Sequence, residues 1–178
     1  MRGTIVVPFL VTLFAHITLY AAETPYVLGV EAYKKKDFPE AIAQWSKAAA
    51  RGNVDAMNNL GFLLFYGYGG DKNPEDAIRL WRTAAYAGHS EAQWHLGTAY
   101  ESGDGVEKDF PRAYGWYRCA IEAATSKLGS EDRDTQAAIL RDAKKSLAKL
   151  TPRLSAKELA RGKALASEYV RRYGKPAP

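Results

Sequence analysis

Small and apolar residues recur through the middle of the chain at helical spacing, and again at a fixed longer period. Ala77, Trp81 and Ala84 are four and three residues apart, which puts them on one face of a helix. Leu60, Gly61 and Leu64 do the same in the segment before. Shifting the sequence by 36 positions superposes Ala41 on Ala77 and Ala113, Trp45 on Trp81 and Tyr117, and Ala48 on Ala84 and Ala120. The same shift pairs Ala56 with Ala92, Leu60 with Leu96, Gly61 with Gly97, Gly67 with Gly103 and Gly69 with Gly105. So many coincidences in phase mark an internal repeat with one helix pair per unit. In each pair the small residues, Gly61 with Ala77 or Gly97 with Ala113, are expected to let two backbones approach while one large aromatic fills the space. Trp116 lies off the repeat phase and is expected to matter less to the fold than Trp81. One hairpin of this kind leaves an apolar face uncovered, so the units must stack.

The run Glu91-Ala92-Gln93-Trp94-His95-Leu96-Gly97 continues through Tyr100, Gly103-Asp104-Gly105-Val106, Lys108-Asp109-Phe110 and Ala113 to Trp116-Tyr117 and Ala120. At these residues the chain resembles the Sel-one-like repeats (SLR), relatives of the tetratricopeptide repeat, over about 95 residues. The first unit departs from the pattern. Gly29 to Ala41 spans 12 residues, whereas Gly61 to Ala77 and Gly97 to Ala113 each span 16. This shorter unit, with Asp37-Phe38-Pro39-Glu40-Ala41, is similar to a plain tetratricopeptide hairpin. The resemblance implies an all-α solenoid of about three helical hairpins over residues 22–125. Beyond Thr125 the helical pattern continues through Leu140, Ala143, Leu147 and Leu150 and breaks at Thr151-Pro152. Ser155 and Glu158 form a capping box for a last helix that would present Leu159, Ala166, Tyr169, Val170 and Tyr173 to the array. Residues 126–178 thus read as C-terminal capping helices, like the tail that follows the repeats in exported SLR proteins.

The N-terminus reads as a targeting segment. Arg2 precedes a stretch from Ile5 to Tyr20 without a charged residue, followed by Ala21 and Ala22 before polar sequence resumes. Pro8, Thr12, His16 and Thr18 interrupt the stretch, which is also short for a membrane span of about 20 apolar residues. Residues 1–21 are expected to be a cleaved signal peptide, with the mature chain exported to a periplasm. A single Cys119 fits an oxidising compartment.

Charge is unevenly placed. Residues 22–125 carry a net −3 and residues 126–178 a net +7, within a total of +5. The basic end could meet an anionic cell-wall polymer or lipid surface, or form only the solvated faces of closing helices. Nucleic acid is not expected as a partner, because the aromatics sit at core phase rather than among the basic residues.

The residues do not assemble a catalytic or metal constellation. His89 and His95 are six apart, on different faces if helical, and lack partners at metal-ligand spacing. Asp104, Glu107 and Asp109 do not match the twelve-residue calcium loop. Gly67-Tyr68-Gly69-Gly70 and Gly103-Asp104-Gly105 recur at the repeat period after helices and read as turn glycines with positive φ. Cys119 reads as a buried, unreactive thiol. The expectation is a protein without cofactor or enzymatic activity.

What remains is a binding surface. With Leu60, Gly61 and Leu64 facing the partner helix, Asp55, Asn59, Phe62 and Tyr66 fall on another face of the first helix of their unit. In tetratricopeptide-like arrays that face lines the concave groove. Residues equivalent in the next unit are His95 and Thr98, flanked by Trp94 and Glu101. An amide beside an exposed aromatic suits an extended peptide, although Phe62 could instead pack on the neighbouring hairpin. The SLR resemblance implies scaffolding of an envelope complex or regulation of a signalling receptor, with an unidentified protein or peptide as partner. The alternative is a factor or enzyme acting on cell-wall peptidoglycan, using the basic tail and grooves lined by Trp94, Tyr100 and Glu101.

Overall fold

The computed structural model describes residues 24–174; the expected signal peptide and its cleavage site lie outside the described residues. Eight α-helices follow one another: α1 Pro25–Lys34, α2 Phe38–Ala50, α3 Val54–Tyr66, α4 Pro74–Tyr86, α5 Ser90–Ser102, α6 Phe110–Ser126, α7 Arg133–Leu150 and α8 Ala156–Tyr173. Among the described residues there is no strand, and a single 3-10 turn, Thr151–Arg153, joins α7 to α8. None of these helices is long and apolar enough to cross a membrane.

Local chemistry sets the helix starts at the repeat period. Asp37, Asn73 and Asp109 cap the outer helices α2, α4 and α6 through side-chain bonds to the backbone N–H groups of Glu40, Asp76 and Arg112. A proline follows each cap at the first turn, where its missing N–H costs nothing. Asn53 and His89 cap the inner helices α3 and α5 in the same way, His89 through Nδ1. The last helix begins with the expected capping box of Ser155 and Glu158. Gly67 and Gly103 end α3 and α5 with φ of 74° and 86°. Two residues on, Gly69 and Gly105 have φ of 84° and 71° and press against Phe38-Pro39 and Pro74, so each loop sits on the proline end of the preceding unit.

Helices α1 with α2, α3 with α4, and α5 with α6 form three antiparallel hairpins that stack in order, giving the expected all-α solenoid. The close approach within each hairpin differs in detail from the sequence expectation. The glycine accommodates the aromatic ring itself. A Cβ on Gly29, Gly61 or Gly97 would fall 2.3 Å, 2.6 Å and 2.4 Å from Trp45, Trp81 and Tyr117 respectively. Ala41, Ala77 and Ala113, fully buried, complete the contact. Both indoles also donate a hydrogen bond to a carbonyl of the opposite helix, Trp45 Nε1 to Tyr26 O at 3.2 Å and Trp81 Nε1 to Asn58 O at 3.1 Å. Two core clusters result, one joining the first hairpin to α3 and one running through the later units, with Met57, Phe62 and Leu64 packed against both.

The closing helices grip α6 from two sides. Helix α7 packs on α5 and α6, burying Ile139, Ala143 and Leu150, while α8 runs back along α6 as far as α4. Leu147, Tyr169, Val170 and Tyr173 pack against the core as the sequence pattern predicts. Trp116 corrects that reading. It is 3% exposed, stacks on Tyr169 at 4.3 Å, and lies 6.1 Å from Tyr86. Its repeat-phase equivalents are Gln44 and Leu80, whereas its own cover comes from Tyr169 and Tyr173 of α8, so phase alone misplaces it.

Two stability outcomes follow from these contacts. Gly61→Ala should destabilise by roughly 1–3 kcal/mol through overpacking against Trp81, although alanine favours a helix by about 1 kcal/mol. Gly129→Ala, where the new Cβ meets open space, is the control. Trp116→Ala and Trp81→Ala should each cost roughly 3–5 kcal/mol, so denaturant midpoints for the two should fall together rather than apart.

Candidate functional site

The inner helices α1, α3 and α5 are brought side by side by the stack, and between them lies a cleft of about 370 Å³. Its walls are Tyr26, Val30 and Tyr33 of α1, Trp45 of α2, Asn58, Asn59 and Phe62 of α3, and Glu91 and His95 of α5. The aromatic side continues outside it, with Phe62 centred 4.9 Å from Tyr66 and stacked at 5.8 Å on Tyr68. Tyr33, Tyr66 and Tyr68 are all more than a third exposed.

Polar groups meet at the inner end. Asn58, only 2% exposed, donates through Nδ2 to Glu91 Oε2 at 2.9 Å, with a longer contact of 3.4 Å to Asn59 Oδ1. Its own Oδ1 is buried without a hydrogen-bond partner, and so is His95 Nε2, which lies 3.9 Å from Glu91 Oε1. Buried polar atoms are rarely left this way, because each forfeits its hydration. His95 stacks flat on Trp81 at 4.5 Å and 14°. Burial, with a smaller contribution from His89, pushes its pKa down to about 3, so the imidazole is neutral.

The sequence-predicted residues divide into three groups. Asn59, Phe62 and His95 line the cleft. Asp55 stands beside it, 3.3 Å from His89 Nε2, and the hydrogen bond from His89 holds its carboxyl below the usual range. Tyr66 extends the aromatic surface from outside. Trp94 and Glu101 face the C-terminal elements instead, and the Thr98 hydroxyl is bonded to Trp94 O and to the Tyr117 hydroxyl of α6. Trp94 Nε1 donates to Ser146 Oγ of α7 at 3.2 Å. The Tyr117 hydroxyl donates to Glu101 at 2.8 Å, and Glu101 also pairs with Arg153. Helix α7 covers the positions that α3 leaves open.

Sequence reasoning missed Tyr26, Val30, Tyr33, Asn58 and Glu91. The signal was available in part. The first unit is four residues short, so the shift that carries Gly61 onto Gly29 also carries Asn58 onto Tyr26 and Phe62 onto Val30. Elsewhere Asp109 is occupied as the α6 cap and as partner of Arg112 and Arg161. Cys119 is fully buried, and burial pushes its thiol up to about 12, which leaves no thiolate at neutral pH.

The depressed His95 pKa has a consequence for stability. The unfolded chain takes up this proton near pH 6.5 and the folded chain only near 3. The contribution is complete above about pH 6.5 and is lost as pH falls toward 3, by about 1.4 kcal/mol per unit. Between about pH 7 and about pH 5 the wild type should therefore lose melting temperature faster than His95→Gln. Parallel pH profiles for the two would show that His95 titrates normally.

Comparison with known proteins bears on this architecture. The Sel1 repeat model matches residues 26–53, 54–89 and 90–124. No curated protein matches the chain. A protective antigen of uropathogenic Escherichia coli strains that displays an SLR fold superposes with a TM-score of 0.70 at 27% identity. It covers 85% of this chain and 30% of its own length. A Sel1 repeat protein from Oxalobacter formigenes gives 0.56 at 30% identity, covering 79% of this chain and 54% of its own. This chain thus spans less than a third of the first structure and about half of the second. With three matched repeats across most of the helical array, the chain belongs to the Sel1 repeat family.

Proposed function

We propose that this chain is an adaptor that holds an extended segment of a partner protein in the cleft between α1, α3 and α5, within a complex of the cell envelope. Sel1 repeat proteins are in general scaffolds for protein–protein interaction, on a fold that is typically not enzymatic. The observation that carries the finer reading is the cleft itself. Exposed aromatic rings supply apolar area at little entropic cost, and Asn59 and the unpartnered Asn58 Oδ1 offer bonds to a backbone that enters. Phe62 packs against both core clusters while it lines the cleft, so its full truncation would mix folding with binding. Asn59→Ala combined with Phe62→Leu should lower capture of the native partner from envelope extract at least tenfold, about 1.4 kcal/mol. Circular dichroism should show unchanged helicity. Capture at wild-type strength would move the site off this face.

The envelope setting is proposed on the uncharged stretch Ile5 to Tyr20 behind Arg2. The mature protein should begin at Ala22 and fractionate with soluble periplasmic proteins, as N-terminal sequencing of the fraction would read. Full-length chain in the membrane pellet would refute export in cleaved form.

A second reading, attachment to an anionic wall polymer, is favoured by a hollow of about 470 Å³ lined from α4, α5, α6 and α8. Arg82, Arg112, Arg161 and Arg172 surround it, over rings of Tyr86, Trp116 and Tyr169. Arg172 pairs with Glu168, and Arg112 and Arg161 share Asp109. The hollow thus keeps an excess of cation. Sedimentation with purified peptidoglycan should retain the wild type and release Arg82→Ala with Arg172→Ala; no sedimentation of the wild type would eliminate this reading.

A further inference from the structure

We infer that the cleft between α1, α3 and α5 selects a basic side chain, Arg or Lys, in the partner segment. The inference rests on the proposed role of the cleft in holding a peptide. It begins from an imbalance among the lining residues. Glu91 is the only charged one, and no Lys or Arg is among them. Asp55 is already bonded to His89, so the negative charge of the cleft rests on Glu91.

Hydrogen-bonding capacity is skewed the same way. Asn58 spends its Nδ2 on Glu91 Oε2 and Asn59, which fixes the amide and leaves Oδ1 an acceptor without a donor. The same bond orients the Glu91 carboxylate, whose Oε1 makes no hydrogen bond with His95 Nε2 at 3.9 Å. Within this pair of side chains Asn58 Oδ1 lacks a donor, and Glu91 Oε1, on a side chain 37% exposed, is open to accept one. An acidic or carbonyl-rich ligand group would worsen that deficit, and an aliphatic one would leave it. A guanidinium or ammonium relieves it, since both carry donors only.

The walls complete the match. Tyr26, Tyr33, Trp45 and Phe62 are all aromatic, and ring faces attract a cation while covering the apolar stem that carries it. An arginine uses the site more fully than a lysine, because its planar fork can address two acceptors at once. The cavity volume admits such a side chain with its flanking backbone, at the small end of the usual ligand-site range.

Selection of short random peptides displayed on phage tests this, with the full chain as bait and the Asn59→Ala, Phe62→Leu variant as counter-bait. Enriched sequences should carry Arg or Lys at one fixed position. Synthetic peptides with citrulline at that position should bind at least tenfold more weakly by fluorescence anisotropy. Glu91→Gln keeps the shape of the side chain and should impose a similar loss on the arginine peptide while leaving the citrulline peptide unaffected; its melting temperature should match wild type. Cleft-dependent peptides that lack a fixed basic residue, or that bind Glu91→Gln unchanged, would overturn the basic selection and leave the peptide groove standing. If no selected peptide discriminates bait from counter-bait, both the selection and the groove fail.

Discussion

Everything in this array depends on a ring inserted where a side chain has been deleted. Gly29, Gly61 and Gly97 each lack the one carbon that would collide with Trp45, Trp81 or Tyr117. The aromatic then fills the gap between helices many of whose other buried residues are alanines. Alanine-rich helices have little area to bury on their own, and the large ring supplies it in one piece. The two indole N–H bonds to main-chain carbonyls add direction to the contact. Hairpin geometry, and with it the placement of α1, α3 and α5 around the cleft, follows from this recurring fit.

The polar side of the cleft is coupled to the same feature. The Trp81 ring that occupies the space over Gly61 also bonds to Asn58 O and stacks beneath His95. Thus one core residue fixes the backbone of Asn58 and the plane of His95 together. The Asn58 side chain is left free to orient Glu91, which stands on the next inner helix. A binding surface assembled from three helices is held in register by contacts made below it, with little reliance on loops.

The repeat was legible in the chain because its chemistry is positional. Caps at Asp37, Asn73 and Asp109, turn glycines, and the glycine–aromatic spacing all act locally, and local demands leave a periodic trace. Trp116 shows what periodicity omits. Its environment comes from Tyr169 and Tyr173 of α8, a helix with no place in the repeat. The candidate site was half legible for the same reason. Asn59, Phe62 and His95 lie in the cleft, but Trp94 meets α7 and Glu101 meets Arg153 in the turn after it, and no self-comparison can foresee elements that occur once. The aromatics of α1 were obscured by a four-residue change of register.

The arrangement of the closing helices also makes the array directional. With α7 on one side of α6 and α8 on the other, the last hairpin is gripped between elements remote in sequence, and Gln93 extends the grip by donating to both Ala85 O and Tyr173 O. The first hairpin has neighbours on one side only among the described residues. In a quasi-one-dimensional stack, local opening starts where interfaces are fewest. Amide protection should accordingly rise from α1 toward α6. Because α1 forms one wall of the cleft, a ligand bridging it to α3 and α5 would supply that helix with the second neighbour it lacks, so that filling the cleft and ordering the open end of the array become a single event.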